Sequence, residues 1–156
     1  MEKKNWLELL SKEENAVEMV VDCNKYTGSF NLSLTQEEAA HLVEAKNETL
    51  KRQGRMEFGE SILPKLIFAF CDSSYIHQEN YLETLEGLEE IFFTYKNETM
   101  DSITDEELID YMREKFEGEC GGSLEFLEET ILEALARKAR SGELLLHQLR
   151  REKGGH

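Results

Sequence analysis

The chain predicts an all-α fold, a single-domain bundle of about six to seven helices, and three observations carry that prediction. Apolar residues recur every three or four positions over most of the 156 residues, Thr-x-x-Glu boxes open two of those periodic stretches at Thr35 and Thr104, and a single proline interrupts the chain. The first marks helices with one buried face, the second satisfies two helix-terminal donors reciprocally, and the third leaves few forced breaks. The bundle is expected to form around a short central helix over 62–72, because Ile62–Cys71 holds one charge in ten residues. A segment apolar on nearly every side belongs where other elements cover it all round.

In chain order, Trp6, Leu7, Leu9 and Leu10 form a short apolar patch. Ser11 and Glu14 have capping-box spacing ahead of a helix over about 12–24 with Ala16, Val17, Val20 and Cys23 inward. Tyr26, Gly28, Phe30, Leu32 and Leu34 then alternate with polar residues, which predicts one extended segment near 26–34. No second strand is apparent, so its backbone groups face either water, as it crosses the helices, or another copy of itself. Thr35 caps a helix closed by Lys51, Arg52 and Gly54. Ser61 caps the central helix, and Pro64 falls in its first turn, where a missing N–H costs nothing. Tyr81, Leu82, Leu85, Leu88, Ile91, Phe92 and Tyr95 line the strongest amphipathic helix, with Glu83, Glu86, Glu89 and Glu90 mostly outward, and it breaks at Lys96–Thr99. Thr104 caps the next, with Leu108, Ile109, Tyr111, Met112 and Phe116 inward, and Ser123 opens another with Leu124, Leu127, Ile131, Leu132 and Leu135 inward. Ser141-Gly142 interrupts, Leu144–Leu149 makes a last short helix, and the domain is expected over 1–150 with a disordered tail at 151–156.

Composition bounds the function. Hydrophobic residues at 40% and charged residues at 33% suit a globular helical protein with solvated outer faces. The formal charge of −15 repels a nucleic-acid backbone or an anionic membrane and favours a basic protein partner. From Arg137 onward six Lys/Arg stand against two Asp/Glu, so residues 1–136 carry −19. Cations near the carboxyl end of a terminal helix complement its dipole, and the same asymmetry leaves room for a homodimer. Cys23, Cys71 and Cys120 show no CxxC spacing, no secretory leader is apparent, and no run approaches the ~20 apolar residues of a membrane span. A soluble protein of the reducing cytoplasm is expected.

Four stretches together carry a family resemblance: Asn80-Tyr-x-x-Thr-Leu-x-x-Leu-x-x-Ile-Phe, Tyr95-Lys-Asn-Glu, Asp105-x-x-Leu-Ile-x-x-Met and Cys120-Gly-Gly-Ser-Leu-Glu-x-Leu. The chain resembles, over roughly residues 30–135, an uncharacterised family of short acidic helical proteins from Firmicutes. The resemblance implies a helical bacterial protein and transfers no catalytic or binding residue.

Candidate sites are few. In the register of a calcium-binding loop, Glu117, Glu119, Glu125 and Glu128 fall at positions 1, 3, 9 and 12 of 117–128, with Gly122 at the sharp turn. Position 1 favours the shorter Asp, position 5 is Gly121, and no partner loop appears. An acidic turn with Ser123 as helix cap explains the same residues. Glu38 and His41 have the Glu-x-x-His spacing of carboxylate-bridged metal bundles, but the second pair such a site needs is missing. Cys120 stands at a helix start, where a thiolate is favoured, among glutamates that oppose it. Cys23 and Cys71 read as core residues. The expected function is therefore non-enzymatic: a protein–protein interaction module with an acidic surface or an exposed apolar groove and no cofactor, with divalent-cation binding at 117–128 as the alternative.

Overall fold

The computed structural model describes residues 15–57 and 60–141, and among them every regular element is helical. The expected Trp6–Leu10 patch, the helix at Leu144–Leu149 and the tail lie outside the described residues. The chain divides into two compact units, Met1–Glu86 and Gly87–His156.

In the first unit, α1 (15–22) turns at Cys23 into α2 (Asn24–Thr27), which tightens into a 3₁₀ turn over Gly28–Phe30. Asn31 ends it in the left-handed region at φ 64°, a conformation asparagine tolerates. The extended segment expected over 26–34 is thus corrected in its first half. Tyr26 and Phe30 are two steps of an alternation, but they are also four residues apart, so a helical turn places them together. Gly28 adds no side chain to the pattern, and Thr27 goes inward instead, fully buried. Only Leu32 and Leu34 keep the alternation, both buried around an exposed Ser33.

Side chains of the same unit serve the backbone of that extended remainder. The Asn24 amide donates to the Leu34 carbonyl at 2.8 Å and accepts from its N–H at 2.9 Å. Gln78 does the same for Ser33, with 2.9 Å in both directions. Each primary amide presents one donor and one acceptor side by side, which is what a neighbouring peptide group would offer. Asn24→Ala is expected to cost about 1–3 kcal/mol by stranding partly buried backbone groups, and Gln78→Ala, at an exposed pair, less than about 1. Urea unfolding of both variants checks that order.

α3 (Gln36–Arg52) carries the predicted capping box: Thr35 Oγ1 accepts from Glu38 N–H at 3.1 Å, and Glu38 Oε1 accepts from Thr35 N–H at 2.9 Å. Gly54 follows at φ 64°. The central helix is α4 (Ile62–Phe70), two residues shorter than expected, with Leu63, Leu66, Ile67 and Phe70 fully buried. Ser61 caps it by accepting from Leu63 N–H at 3.2 Å. Glu57 satisfies a second helix-terminal donor, Ile62 N–H, at 2.9 Å. The expectation that α4 is covered all round is corrected at one position, since Phe68 is 50% exposed. A 3₁₀ turn at Gln78–Asn80 then leads into α5 (Tyr81–Glu98), and the division between the units falls after Glu86.

In the second unit, Leu88, Ile91, Phe92 and Tyr95 of α5 are buried as predicted, but Glu89, expected outward, is buried too, since it directly follows Leu88 at the edge of the inward face. The helix ends where Met100 and Asp101 both take positive φ, 55° and 57°. The buried Lys96 holds this turn, donating to the Ile103 carbonyl at 2.7 Å and pairing with Asp105 at 2.9 Å. Asp105 opens α6 (Asp105–Glu117), capped by Thr104 as expected through Glu107 N–H at 3.2 Å.

Ser123 caps α7 (Leu124–Phe126), which widens into a π turn over Leu127–Ile131 before α8 (Leu132–Ser141). The added residue slides the inward stripe by one, so that Leu132 and Ala136 follow the buried Leu127 while Ile131 is only half-buried. Tyr95 holds the π turn by donating its hydroxyl to the Glu128 carbonyl at 2.6 Å.

Candidate functional site: an exposed aromatic cluster

Half of the twelve aromatic side chains among the described residues are consumed by packing, while Tyr75 and Phe126 are exposed. Phe70, Tyr81, Phe92, Phe93, Tyr95 and Phe116 are all buried. Three that meet one another are not. Tyr26 is 52% exposed, Phe30 37% and Phe68 50%.

Their arrangement follows from local structure. Tyr26 and Phe30 stand four residues apart along α2 and its 3₁₀ turn, with ring centroids 5.7 Å apart. Phe68 comes from α4 and meets Tyr26 edge to face at 5.4 Å and 83°. Next to the rings in sequence, Thr27 Oγ1 donates to the Leu32 carbonyl at 2.9 Å, and Cys23 and Cys71 are buried. The Asn24 and Gln78 amide clamps fix the chain that follows Phe30. An aromatic cluster on an ordered platform loses little entropy on binding. Charges nearby in sequence are mixed, with Asp22 and Lys25 paired at 3.9 Å before Tyr26 and Lys65 and Asp72 flanking Phe68.

Burial governs titration beneath the cluster. It pushes the Cys23 thiol from 9.0 to about 11, helped by Asp22 and Cys71, and the Tyr81 phenol from 10.0 to about 12. In the second unit burial, then Glu133, Glu128 and Glu98, raise Tyr95 to about 12 as well. These groups ionise more readily unfolded than folded, so the unfolded state binds fewer protons in alkali and stability falls as pH rises. Melting temperature is expected to be level up to about pH 9 and to decline through pH 10–12 under reducing conditions, as thermal scans will read.

The 117–128 residues are placed as follows. Glu117 pairs with Arg113 at 3.6 Å and Glu119 with Lys115 at 2.8 Å. Glu125 is exposed in α7, and Glu128 lies in the π turn, its carboxyl raised by burial and by Glu90 and Glu129. Gly121 and Gly122 take φ 54° and 84°, which explains the glycine pair by the turn itself. Among the described residues no three His, Cys, Asp or Glu come together in a group able to hold a metal ion. Millimolar calcium is expected to leave the melting temperature unmoved; a rise of several degrees would make the turn a cation site.

Glu38 is engaged in its capping box, and His41 Nδ1 lies 2.5 Å from Glu86 Oε2 on the surface. Cys120 is buried, its thiol raised by burial and Glu119 against the opposing pull of Lys115. Sequence reasoning missed the cluster: a helix apolar on every face reads as covered all round, and nothing in the run marks Phe68 as the side chain left exposed.

The described fold is all-helical, its distinguishing surface feature is an aromatic cluster, and no described helix is long and apolar enough to cross a membrane. The chain belongs to the family of unknown function DUF6323, whose model matches residues 19–144 and so takes in Tyr26, Phe30 and Phe68. No curated protein and no solved structure is significantly similar to it.

Proposed function

We propose that this is a non-enzymatic bacterial protein of the cytoplasm that binds another protein through Tyr26, Phe30 and Phe68. The observation that carries the reading is their joint exposure, in contact with one another, on helices whose other aromatic side chains are buried. Exposed aromatic residues held in one conformation are the usual anchors of protein interfaces. The charge of −15 adds attraction toward basic surfaces and accelerates encounter with them.

The test is site-specific photo-crosslinking in cells of the native host. A photoreactive residue at position 68 is expected to capture a discrete protein that is lost when Tyr26→Ala is added. The same residue at the exposed Glu79 captures none. Equal capture at both positions, or none at position 68, would contradict the reading.

A further inference from the structure

We infer that the segment docking on Tyr26, Phe30 and Phe68 is a short stretch of another protein carrying an arginine next to an apolar side chain. The inference rests on the binding function proposed above and names its ligand.

Area comes first. With Tyr26, Phe30 and Phe68 exposed by 52%, 37% and 50%, and aromatic side chains offering about 150–250 Å² each, the cluster presents roughly 300 Å². A stable dimer needs about 800 Å² from each partner, so the cluster does not by itself hold a second copy of this chain. It seats one or two side chains of a short segment.

Chemistry comes second. The three aromatic residues are exposed by between 37% and 52%, and a guanidinium over an aromatic ring is held by the ring quadrupole while its weak hydration makes it cheap to desolvate. Phe30 and Phe68 supply no polar group to bind a charged or hydroxylated ligand in any other way. The nearest charges in sequence, Asp22, Lys25, Lys65 and Asp72, cancel, so the cation preference comes from the rings. The wider surface reinforces it: residues 15–86 hold twelve Asp/Glu against six Lys/Arg, and one of those six, Lys46, is buried. An acidic segment is repelled, and a wholly apolar one leaves the π faces unused.

The experiment pans the full chain against random twelve-residue peptides displayed on phage and measures synthetic copies of the enriched ones by fluorescence anisotropy. Enriched peptides are expected to carry Arg within two residues of Leu, Met or an aromatic. Affinity should fall about tenfold with Phe68→Ala, with Phe68→Leu, which keeps apolar area but removes the ring, and with Arg→Gln in the peptide. Peptides that need Phe68 but tolerate both Arg→Gln and Phe68→Leu would overturn the arginine inference and leave the binding function standing. A chain that sediments as a dimer dissolved by Phe68→Ala would replace the ligand with a second copy. No enriched peptide, or none sensitive to Phe68 or Tyr26, would overturn both.

Discussion

Glu57→Ala is expected to destabilise the protein by about 3–5 kcal/mol, a loss out of proportion to its position between helices. Its carboxylate does two tasks at once. Oε1 accepts from Lys46 Nζ at 2.5 Å, and Oε2 accepts from Ile62 N–H at 2.9 Å at the start of α4. Lys46 is only 4% exposed, so removing its partner leaves an ammonium sealed away from water with nothing to balance it. The same truncation strips one donor at the amino end of the central helix of its acceptor. The pair is not thereby a net source of stability, because taking two charges out of water offsets most of their attraction. Lys46→Met together with Glu57→Gln is therefore expected to recover more than half of the loss, since it removes the stranded charge and keeps an acceptor for Ile62. Denaturant unfolding of the two variants beside the parent chain checks both figures. A loss below about 1 kcal/mol for Glu57→Ala would mean that Lys46 reaches water.

Phe70→Ala is the second large effect, about 3–5 kcal/mol. Phe70 is completely buried near the end of α4, on the side that also carries Leu63, Leu66 and Ile67. Truncation removes most of a ring from an interior packed at crystal density, and the helix backbone limits collapse into the space left behind. For a chain of this size that loss lowers the melting temperature by on the order of 10 °C, measurable by circular dichroism.

The helices were legible wherever local chemistry and periodicity agree. The capping box at Thr35, the Thr104, Ser61 and Ser123 caps and most of the inward stripe of α5 appear as expected, because each depends on contacts within a few residues; at Thr104 the hydroxyl, rather than the backbone N–H, donates to Glu107. Three features were not legible, for different reasons. Alternation from Tyr26 to Phe30 is compatible with both period two and an i, i+4 pair, and only the turn at Cys23 and the Asn24–Leu34 clamp decide between them. The π turn at Leu127–Ile131 depends on a hydrogen bond from Tyr95, thirty-three residues away. Lys46 reads as a solvated helix lysine until Glu57 is placed against it.

The aromatic cluster sits between these cases. Phe68 was visible as part of an all-apolar run, and the run was right about where α4 lies. It predicted cover on every side and so misplaced Phe68, because exposure along α4 depends on how many elements pack against the helix. Glu117 ends α6, Glu125 lies in α7 and Glu128 in the π turn, and the positive φ of Gly121 and Gly122 is the part of 117–128 that the glycine pair made legible.

The account turns on one asymmetry, that two phenylalanines two residues apart on α4 serve opposite ends, Phe70 the core and Phe68 the surface. Equilibrium unfolding of Phe68→Ala beside Phe70→Ala measures it most directly. Phe68→Ala is expected to stay within about 1 kcal/mol of the parent while Phe70→Ala loses about 3–5. Equal losses in the two variants would place Phe68 inside the fold and remove the binding surface.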